Sequence, residues 1–121
     1  MDISLAIGQA GPIHIELVQV HNDTPTVYTD MYPKGSGGGL HHVAMLARDF
    51  PNALKAYRDA GFEVGMSGVF GTTHFAYIDT RSSVGYFTEF AADTEEMRAL
   101  YKRVADAAVD WNGSEPIRSL L

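Results

Sequence analysis

Two adjacent histidines in a short apolar segment are the residues of this sequence with the clearest capacity for chemistry. His41 and His42 follow a run of three glycines. In a β-strand, successive side chains point to opposite faces, so His42 shares a face with Ala44 and Leu46 while His41 lies on the other. An imidazole on an enclosed strand is either a hydrogen-bonded core group or a metal ligand. The segment alone favours the core group.

Two glutamates on predicted strands are the natural partners of such an imidazole. Glu16 lies in the apolar segment Ile13–Val20 and shares a face with His14. Taken alone, Glu16 is as well explained as a solvated residue on an outer face. Glu89 lies between aromatic residues, and a carboxylate in so apolar a strand needs a partner if it is buried.

The composition limits what these residues can do. The chain has 121 residues, 45% of them hydrophobic, which suits one soluble domain. Its net charge of −6 argues against nucleic acid or an anionic membrane as partner. The sequence contains no cysteine, so a metal would be held by nitrogen and oxygen ligands alone. No apolar run could span a bilayer and the N-terminus does not resemble a signal peptide, so we expect a cytoplasmic protein.

Apolar periodicity and turn residues predict an order of strands and helices that positions these side chains. Strands are predicted at residues 3–7, 13–20, 40–47, 62–65, 70–78 and 84–90, with a long loop at residues 26–39. Asp49 and Pro51 predict the start of a helix that ends at Gly61. Asp93 and Glu96 form a capping-box-like pair. The helix that they begin carries one apolar stripe, which we interpret as core or interface packing: Met97, Leu100, Tyr101, Val104, Ala108 and Trp111.

This predicted order of strands and helices, with the residues of three segments, resembles the vicinal oxygen chelate superfamily. The superfamily includes glyoxalase I, methylmalonyl-CoA epimerase, ring-cleaving dioxygenases and bleomycin-resistance proteins. The first is the glycine-rich segment with the two histidines, residues 38–44. The second is the strand at residues 13–19 with the Asn-Asp-Thr-Pro loop after it, and the third is the strand at residues 85–90. In these motifs the sequence is most similar to the epimerase-like and glyoxalase-like members.

The resemblance implies an α+β fold in which two βαβββ modules curl a mixed sheet into an open barrel around one divalent ion. Residues 40–92 would form the complete second module, joined by a glycine-rich linker at 34–39 to the last two strands of a first module at 1–33. Residues 93–121 would form a C-terminal helix and tail. The opening strand and helix of the first module have no counterpart, so we expect a natural short form or a fragment.

The resemblance also implies a ligand set. His42 and Glu89 match the two ligands of the second module, and Glu16 matches the last-strand ligand of the first. The fourth ligand has no counterpart. One imidazole and two carboxylates suit a divalent ion such as zinc, nickel, cobalt, manganese or iron, and the spacing does not choose among them.

The function implied is that of a metal-dependent isomerase or lyase of the glyoxalase or epimerase type. It would abstract a proton α to the carbonyl of a small substrate, with the enediolate held on the metal and Glu89 as the catalytic base. Two alternatives stay open. One is a metal-free protein that binds or sequesters a small molecule, as bleomycin-resistance proteins do; the other is a truncated chain without activity.

The remaining candidates are residues that would line a pocket, namely His14, His74, Tyr77 and Phe87. We expect His41 to face the helix side in a structural role. The unpaired sheet edges invite pairing, so we expect a homodimer that covers them, with exchanged modules as one arrangement. The expected partners are a small-molecule substrate and a second copy of the chain, with no nucleic acid and no membrane.

Overall fold

The computed structural model describes residues 1–120, which form two β-sheets and four helices. The elements in chain order are β1 (Ile3–Ala10), β2 (Ile13–Val20), α1 (Val27–Met31), β3 (His42–Ala47), α2 (Phe50–Asp59), β4 (Val64–Phe70), β5 (Thr73–Ile78), α3 (Arg81–Val84), β6 (Phe87–Ala92) and α4 (Glu95–Ala108). The fold is therefore of the mixed α+β type that the sequence predicted. Within residues 1–120, no helix is both long and apolar enough to cross a membrane.

The larger sheet has four strands in the order β3-β6-β5-β4, and we call these strands with α2 the four-stranded unit. β3 runs parallel to β6, while β5 is antiparallel to both β6 and β4. Helix α2 covers one face, where Ala76, Ile78 and Phe90 are buried against its apolar side chains. This helix carries the chain across the sheet from β3 to β4, the strand at the opposite edge, and the two strands run in the same direction.

The smaller sheet is the antiparallel hairpin of β1 and β2. One face of the hairpin packs, together with α1, on the second face of the four-stranded unit. The buried residues there are Val27, Tyr28, Tyr77 and Phe87. The other face of the hairpin is open, and its apolar side chains Ile13, Ile15 and Leu17 are exposed. The two sheets are not joined into a closed barrel.

Helix ends follow the predicted capping chemistry at α2 and depart from it at α4. The Asp49 side chain accepts a hydrogen bond from the Asn52 amide, as expected of an N-cap. At α4 the N-cap is Thr94, because Asp93 instead forms a bidentate ion pair with Arg98. The helix also ends at Ala108, short of the predicted end, so Trp111 lies outside it and is half exposed.

Several strand boundaries differ from the predicted ones, among them those of β1, β4 and β6. β4 continues to Phe70 and turns at Gly71, whose φ of +59° suits a two-residue hairpin turn. Gly68 therefore lies inside β4, where a Cβ atom would meet the Phe75 ring. β6 begins at Phe87 because the preceding residues form the short helix α3, which ends at the left-handed Gly85.

Candidate functional site

Three side chains from three strands converge in the cleft between the hairpin and the four-stranded unit. Glu16 comes from β2, His42 from β3 and Glu89 from β6. The His42 Nε2 atom lies 3.1 Å from Glu16 Oε2 and 3.3 Å from Glu89 Oε2. One ligand atom from each residue falls within 4.8 Å of the others, which is the spacing of a group able to hold a metal ion.

Strand register explains two of the three positions. In the parallel pair of β3 and β6, Ala44 lies opposite Glu89 and His42 lies opposite Phe87. Alternation along β3 then puts His42 and Glu89 on the same face. Glu16 arrives from the other sheet, on the face of β2 that looks into the cleft. This site is therefore assembled across two sheets and depends on how the hairpin docks.

The electrostatics of the cluster centre on His42, whose side chain is only 9% exposed. Burial alone would favour the neutral imidazole, but hydrogen bonds and charge from Glu16 and Glu89 outweigh it and raise the pKa of His42 to about 9. In the metal-free protein at neutral pH, His42 is therefore an imidazolium between two carboxylates. A divalent cation on the same three groups would satisfy the same excess of negative charge.

The neighbouring histidine orients this ring. His41 Nε2 donates to the carbonyl oxygen of Val27 at 2.8 Å, and burial lowers the pKa of His41, which keeps it neutral. The other nitrogen of a neutral His41 must then accept. It lies 3.0 Å from His42 Nδ1, so His42 donates through Nδ1. Without a second proton, His42 therefore presents the lone pair of Nε2 to the cleft, as a metal-ligating histidine does.

Two tyrosines wall the cleft beside His42. The hydroxyls of Tyr28 and Tyr77 are hydrogen-bonded at 2.9 Å, and the Tyr77 ring centroid lies 5.1 Å from that of His42. Burial raises the pKa of Tyr28 to about 12 and the pKa of Tyr77 well above its usual range, with Glu89 adding to both shifts. Both phenols therefore stay protonated, and one of them donates the hydrogen bond between the two hydroxyls.

Helix α4 closes another side of the cleft through Tyr101. Its ring packs against His14 of β2 in a tilted arrangement, with centroids 4.5 Å apart. Burial raises the pKa of Tyr101, and the charges of Glu89 and Glu16 add to the shift. Beside it, Gln9 lies directly opposite His14 in the hairpin. The Oε1 atom of Gln9 and the Nδ1 atom of His14 are buried and have no hydrogen-bond partner within residues 1–120.

The other predicted candidates lie in different places. His74 is exposed on β5, and its ring lies 6.1 Å from that of Phe50 on the side of α2. Phe87 is buried and stacks on His41. His41 was expected on the helix side and lies instead in the cleft. It precedes the first residue of β3, so strand alternation does not extend to it.

Sequence reasoning missed three contributors to the cleft: the orienting role of His41, and the positions of Tyr28 and Tyr101. Tyr28 falls in a stretch predicted mostly as loop. The available signal was Thr26 followed by Thr29, because these two residues cap α1 reciprocally. Tyr101 belongs to the apolar stripe of α4, and nothing in that pattern separates it from core residues.

The donor set fits a divalent metal. It offers one imidazole nitrogen and carboxylate oxygens from two residues, a mixture that suits borderline ions, and no cysteine to favour softer ones. Three protein ligands leave coordination positions for a substrate oxygen or water, as catalytic sites do. The orientation of His42 by a neutral partner is the outer-shell support that metal-ligating histidines have.

Comparison with known proteins gives the chain a family. The family model described as the Glyoxalase/Bleomycin resistance protein/Dioxygenase superfamily matches residues 1–77, a range that contains Glu16 and His42 and stops before Glu89. A similar solved structure is the crystal structure of a hypothetical protein from Bacillus halodurans C-125. It is 19% identical with a TM-score of 0.59 over 77% of this chain and 68% of that one, a likeness that shows the fold alone. No curated protein matches the chain. The match over more than half of its residues shows that the chain belongs to the glyoxalase/bleomycin resistance protein/dioxygenase superfamily.

Proposed function

We propose that this protein is a metal-dependent isomerase or lyase that removes a proton from the carbon next to a carbonyl group of a small substrate. The observation that carries the proposal is the convergence of Glu16, His42 and Glu89 around one point, with Nε2 of His42 aimed at it. Membership of a superfamily that commonly binds a divalent metal supports the same interpretation.

Each residue of the cluster has its own role in the proposed reaction. A divalent ion bound here would supply a Lewis acid that makes the neighbouring carbon acidic. Glu89 is the catalytic base of the proposal: its carboxylate takes the proton from that carbon and returns it to the product. Glu89 is less exposed than Glu16, 16% against 25%, so its carboxylate is better shielded from water. His42 holds its position through His41, and Glu16 keeps the charge of the cluster balanced.

Metal titration tests the site directly. We expect zinc, cobalt, nickel or manganese to bind the dialysed protein with one ion per chain, measured by calorimetry and metal analysis. Replacing Glu16→Gln or His42→Ala should weaken binding roughly 10- to 1,000-fold, because the first removes the negative charge of one ligand and the second removes the imidazole ligand. Glu95→Gln is the matched control, since it removes the same charge from an exposed turn of α4. Absence of any saturable binding would rule out the metal-dependent reaction.

Proton exchange tests the base. In deuterium oxide, the metal-loaded protein should exchange the proton α to the carbonyl of small hydroxy ketones and aldehydes. Glu89→Gln should slow this exchange about 10²- to 10⁴-fold at saturating metal, the usual contribution of a general base. Glu16→Gln, compared at saturating metal, should keep a much larger part of the rate. Equal losses in both variants would show that Glu89 is a ligand without a separate role.

One observation favours a second candidate, a metal-free binding protein. The imidazolium of His42 already forms ion pairs with both carboxylates through Nε2, so the cluster is an ion-paired triad without any metal. In that case a small ligand would raise the melting temperature equally with and without a chelator, and no turnover would accompany binding. Stabilisation that disappears with chelator would exclude this candidate.

We further propose that two copies of the chain associate. The open face of the hairpin exposes Ile13, Ile15 and Leu17, and a two-stranded sheet is marginally stable by itself. A partner copy that covers this face and the unpaired edges would remove both liabilities. Light scattering at micromolar concentration tests the proposal, and a stable monomer would refute it.

A further inference from the structure

The paired hydroxyls of Tyr28 and Tyr77 contain one proton more than their mutual hydrogen bond uses. Each hydroxyl has one proton to donate, and the 2.9 Å bond between them consumes one of the two. Neither hydroxyl donates to another side chain or carbonyl within residues 1–120. Both side chains are buried, at 8% and 3% exposure. A buried donor without an acceptor is costly in a folded protein, and a ligand oxygen is one group that can accept from it.

The position of the pair relates this proton to the cleft. Tyr77 lies directly opposite Glu89 in the antiparallel pair of β5 and β6, so the two side chains share a face as close neighbours. The Tyr77 ring lies 5.1 Å from the His42 ring, and the Tyr28 ring lies 6.4 Å away. The remaining proton is therefore held beside His42 and Glu89, where the carbonyl group of the substrate would bind.

We propose that Tyr77 donates this hydrogen bond to the carbonyl oxygen of the substrate as that oxygen gains negative charge, and that Tyr28 positions and polarises the Tyr77 hydroxyl. The assignment of Tyr77 as donor follows from its shorter distance to His42 and its register with Glu89. This role rests on the proposed proton abstraction and deepens it, since a fixed donor in a site shielded from water stabilises charge where it develops. This hydrogen bond would favour substrates whose carbonyl oxygen becomes an oxyanion during the reaction.

An anionic oxygen probe tests the donor without turnover. Acetohydroxamate is a small chelating anion that can place one oxygen on bound zinc and the other toward a donor. We expect Tyr77→Phe to weaken acetohydroxamate binding to the zinc-loaded protein about tenfold, and Tyr28→Phe about threefold, because the first removes the donor and the second only its orientation. The double variant should lose no more than Tyr77→Phe, since both tyrosines act through one hydroxyl.

Controls separate this role from a structural one. Tyr57→Phe removes a hydroxyl from a tyrosine on the α2 side, and its affinity for acetohydroxamate should equal that of the wild type. Zinc affinity should be unchanged in all the variants, and in proton exchange Tyr77→Phe should lower kcat with little change in KM. A drop in zinc affinity that parallels the loss of hydroxamate would point to structural damage and overturn the proposal.

The outcomes also separate this inference from the proposed function. If the wild type and Tyr77→Phe bind acetohydroxamate equally, the tyrosine donor is wrong and the metal site stands. If the wild type binds zinc and shows the tyrosine pattern but exchanges no proton, the donor stands as a ligand-binding group and the reaction is wrong. If the wild type binds neither zinc nor hydroxamate, both proposals fall.

Discussion

The hairpin and the four-stranded unit both supply carboxylates to the same cleft, but they differ in how completely their apolar residues are buried. The four-stranded unit buries apolar residues on both faces of its sheet, with α2 on one side and α1 and the hairpin on the other. The hairpin buries one face only and exposes Ile13, Ile15 and Leu17 on the other. Glu89 is therefore fixed by a complete core, whereas Glu16 depends on the docking of a two-stranded sheet.

This difference teaches where stability and function can be separated. Changes inside the four-stranded unit should unfold the protein, while changes on the open face of the hairpin should leave the fold and alter what the protein contacts. The cluster of Glu16, His42 and Glu89 spans the boundary between the two regions. It is therefore the place where a change in one region should be measurable in the other.

Truncating one apolar side chain in each region should give the largest contrast. Phe90 is 2% exposed in the core under α2, so Phe90→Ala should lower the free energy of unfolding by about 4 kcal/mol at every protein concentration. Leu17 is 66% exposed on the hairpin, and Leu17→Ala should change the unfolding of the monomer by less than about 0.5 kcal/mol. Urea denaturation monitored by circular dichroism measures both.

Protein concentration distinguishes the two regions further. If the hairpin face associates with a second copy, Leu17→Ala should weaken that association in a dilution series while leaving the monomer intact. A loss for Leu17→Ala as large as that for Phe90→Ala in the monomer would show that the hairpin face belongs to the core. The contrast between the two regions would then be wrong.

The ion-paired triad should make the stability of the metal-free protein depend on pH. The pKa of His42 is raised from 6.5 to about 9, so its charged form stabilises the folded state. This contribution is fully present below pH 6.5 and is lost as the pH rises to 9, a change of roughly 3 kcal/mol. Denaturation at a series of pH values measures it. A flat profile between these limits would show that the carboxylates do not hold the proton.

Variants of the two glutamates divide this pH dependence between the regions. Glu16→Gln removes the partner that comes from the hairpin, and Glu89→Gln removes the partner within the four-stranded unit. Each should reduce the loss of stability between pH 6.5 and 9. If the stability of Glu16→Gln depended on pH as that of the wild type does, the hairpin would not be docked closely enough to contact His42 in solution.

The sequence predicted the fold better than its boundaries, for physical reasons visible in single residues. Alternation and capping signals identified the strands and helix α2, because Asp49 and Gly61 act locally. The end of β4 and the start of β6 were wrong because they depend on side-chain and turn contacts that apolar alternation does not encode. The strand predicted at residues 62–65 ends before Gly68, yet β4 continues through Gly68, where Phe75 packs against it. Thr80, whose hydroxyl binds the Tyr86 carbonyl, holds the helical turn before β6.

The residues of the candidate site were likewise predicted only in part. Alternation separated His42 from His41 on their strand, and the family resemblance then paired His42 with Glu89. Glu16 could be added only through the family resemblance, because no local pattern tells how a separate hairpin docks. The tyrosines were harder still. Tyr28 reaches the cleft from a short helix inside a long connection, and its partner Tyr77 lies 49 residues away in sequence.

The smallest predicted effect concerns α4, the helix that links the two regions. Its N-cap Thr94 accepts from the Met97 amide and hydrogen-bonds Thr73 of the four-stranded unit, while Tyr101 packs against His14 of the hairpin. Thr94→Ala should therefore cost about 1 kcal/mol and speed hydrogen exchange in the first turn of α4.

The matched control is Thr24→Ala, an exposed threonine outside any helix, which should change stability by less than about 0.5 kcal/mol. If α4 holds the hairpin against the four-stranded unit, Thr94→Ala should also raise exchange in β1, the strand on which α4 packs. Exchange at Phe90 in β6 should stay unchanged, because that residue is buried under α2. Equal acceleration in β6 would mean that the two regions unfold as one, and the hairpin would then be an integral part of the core that fixes Glu89.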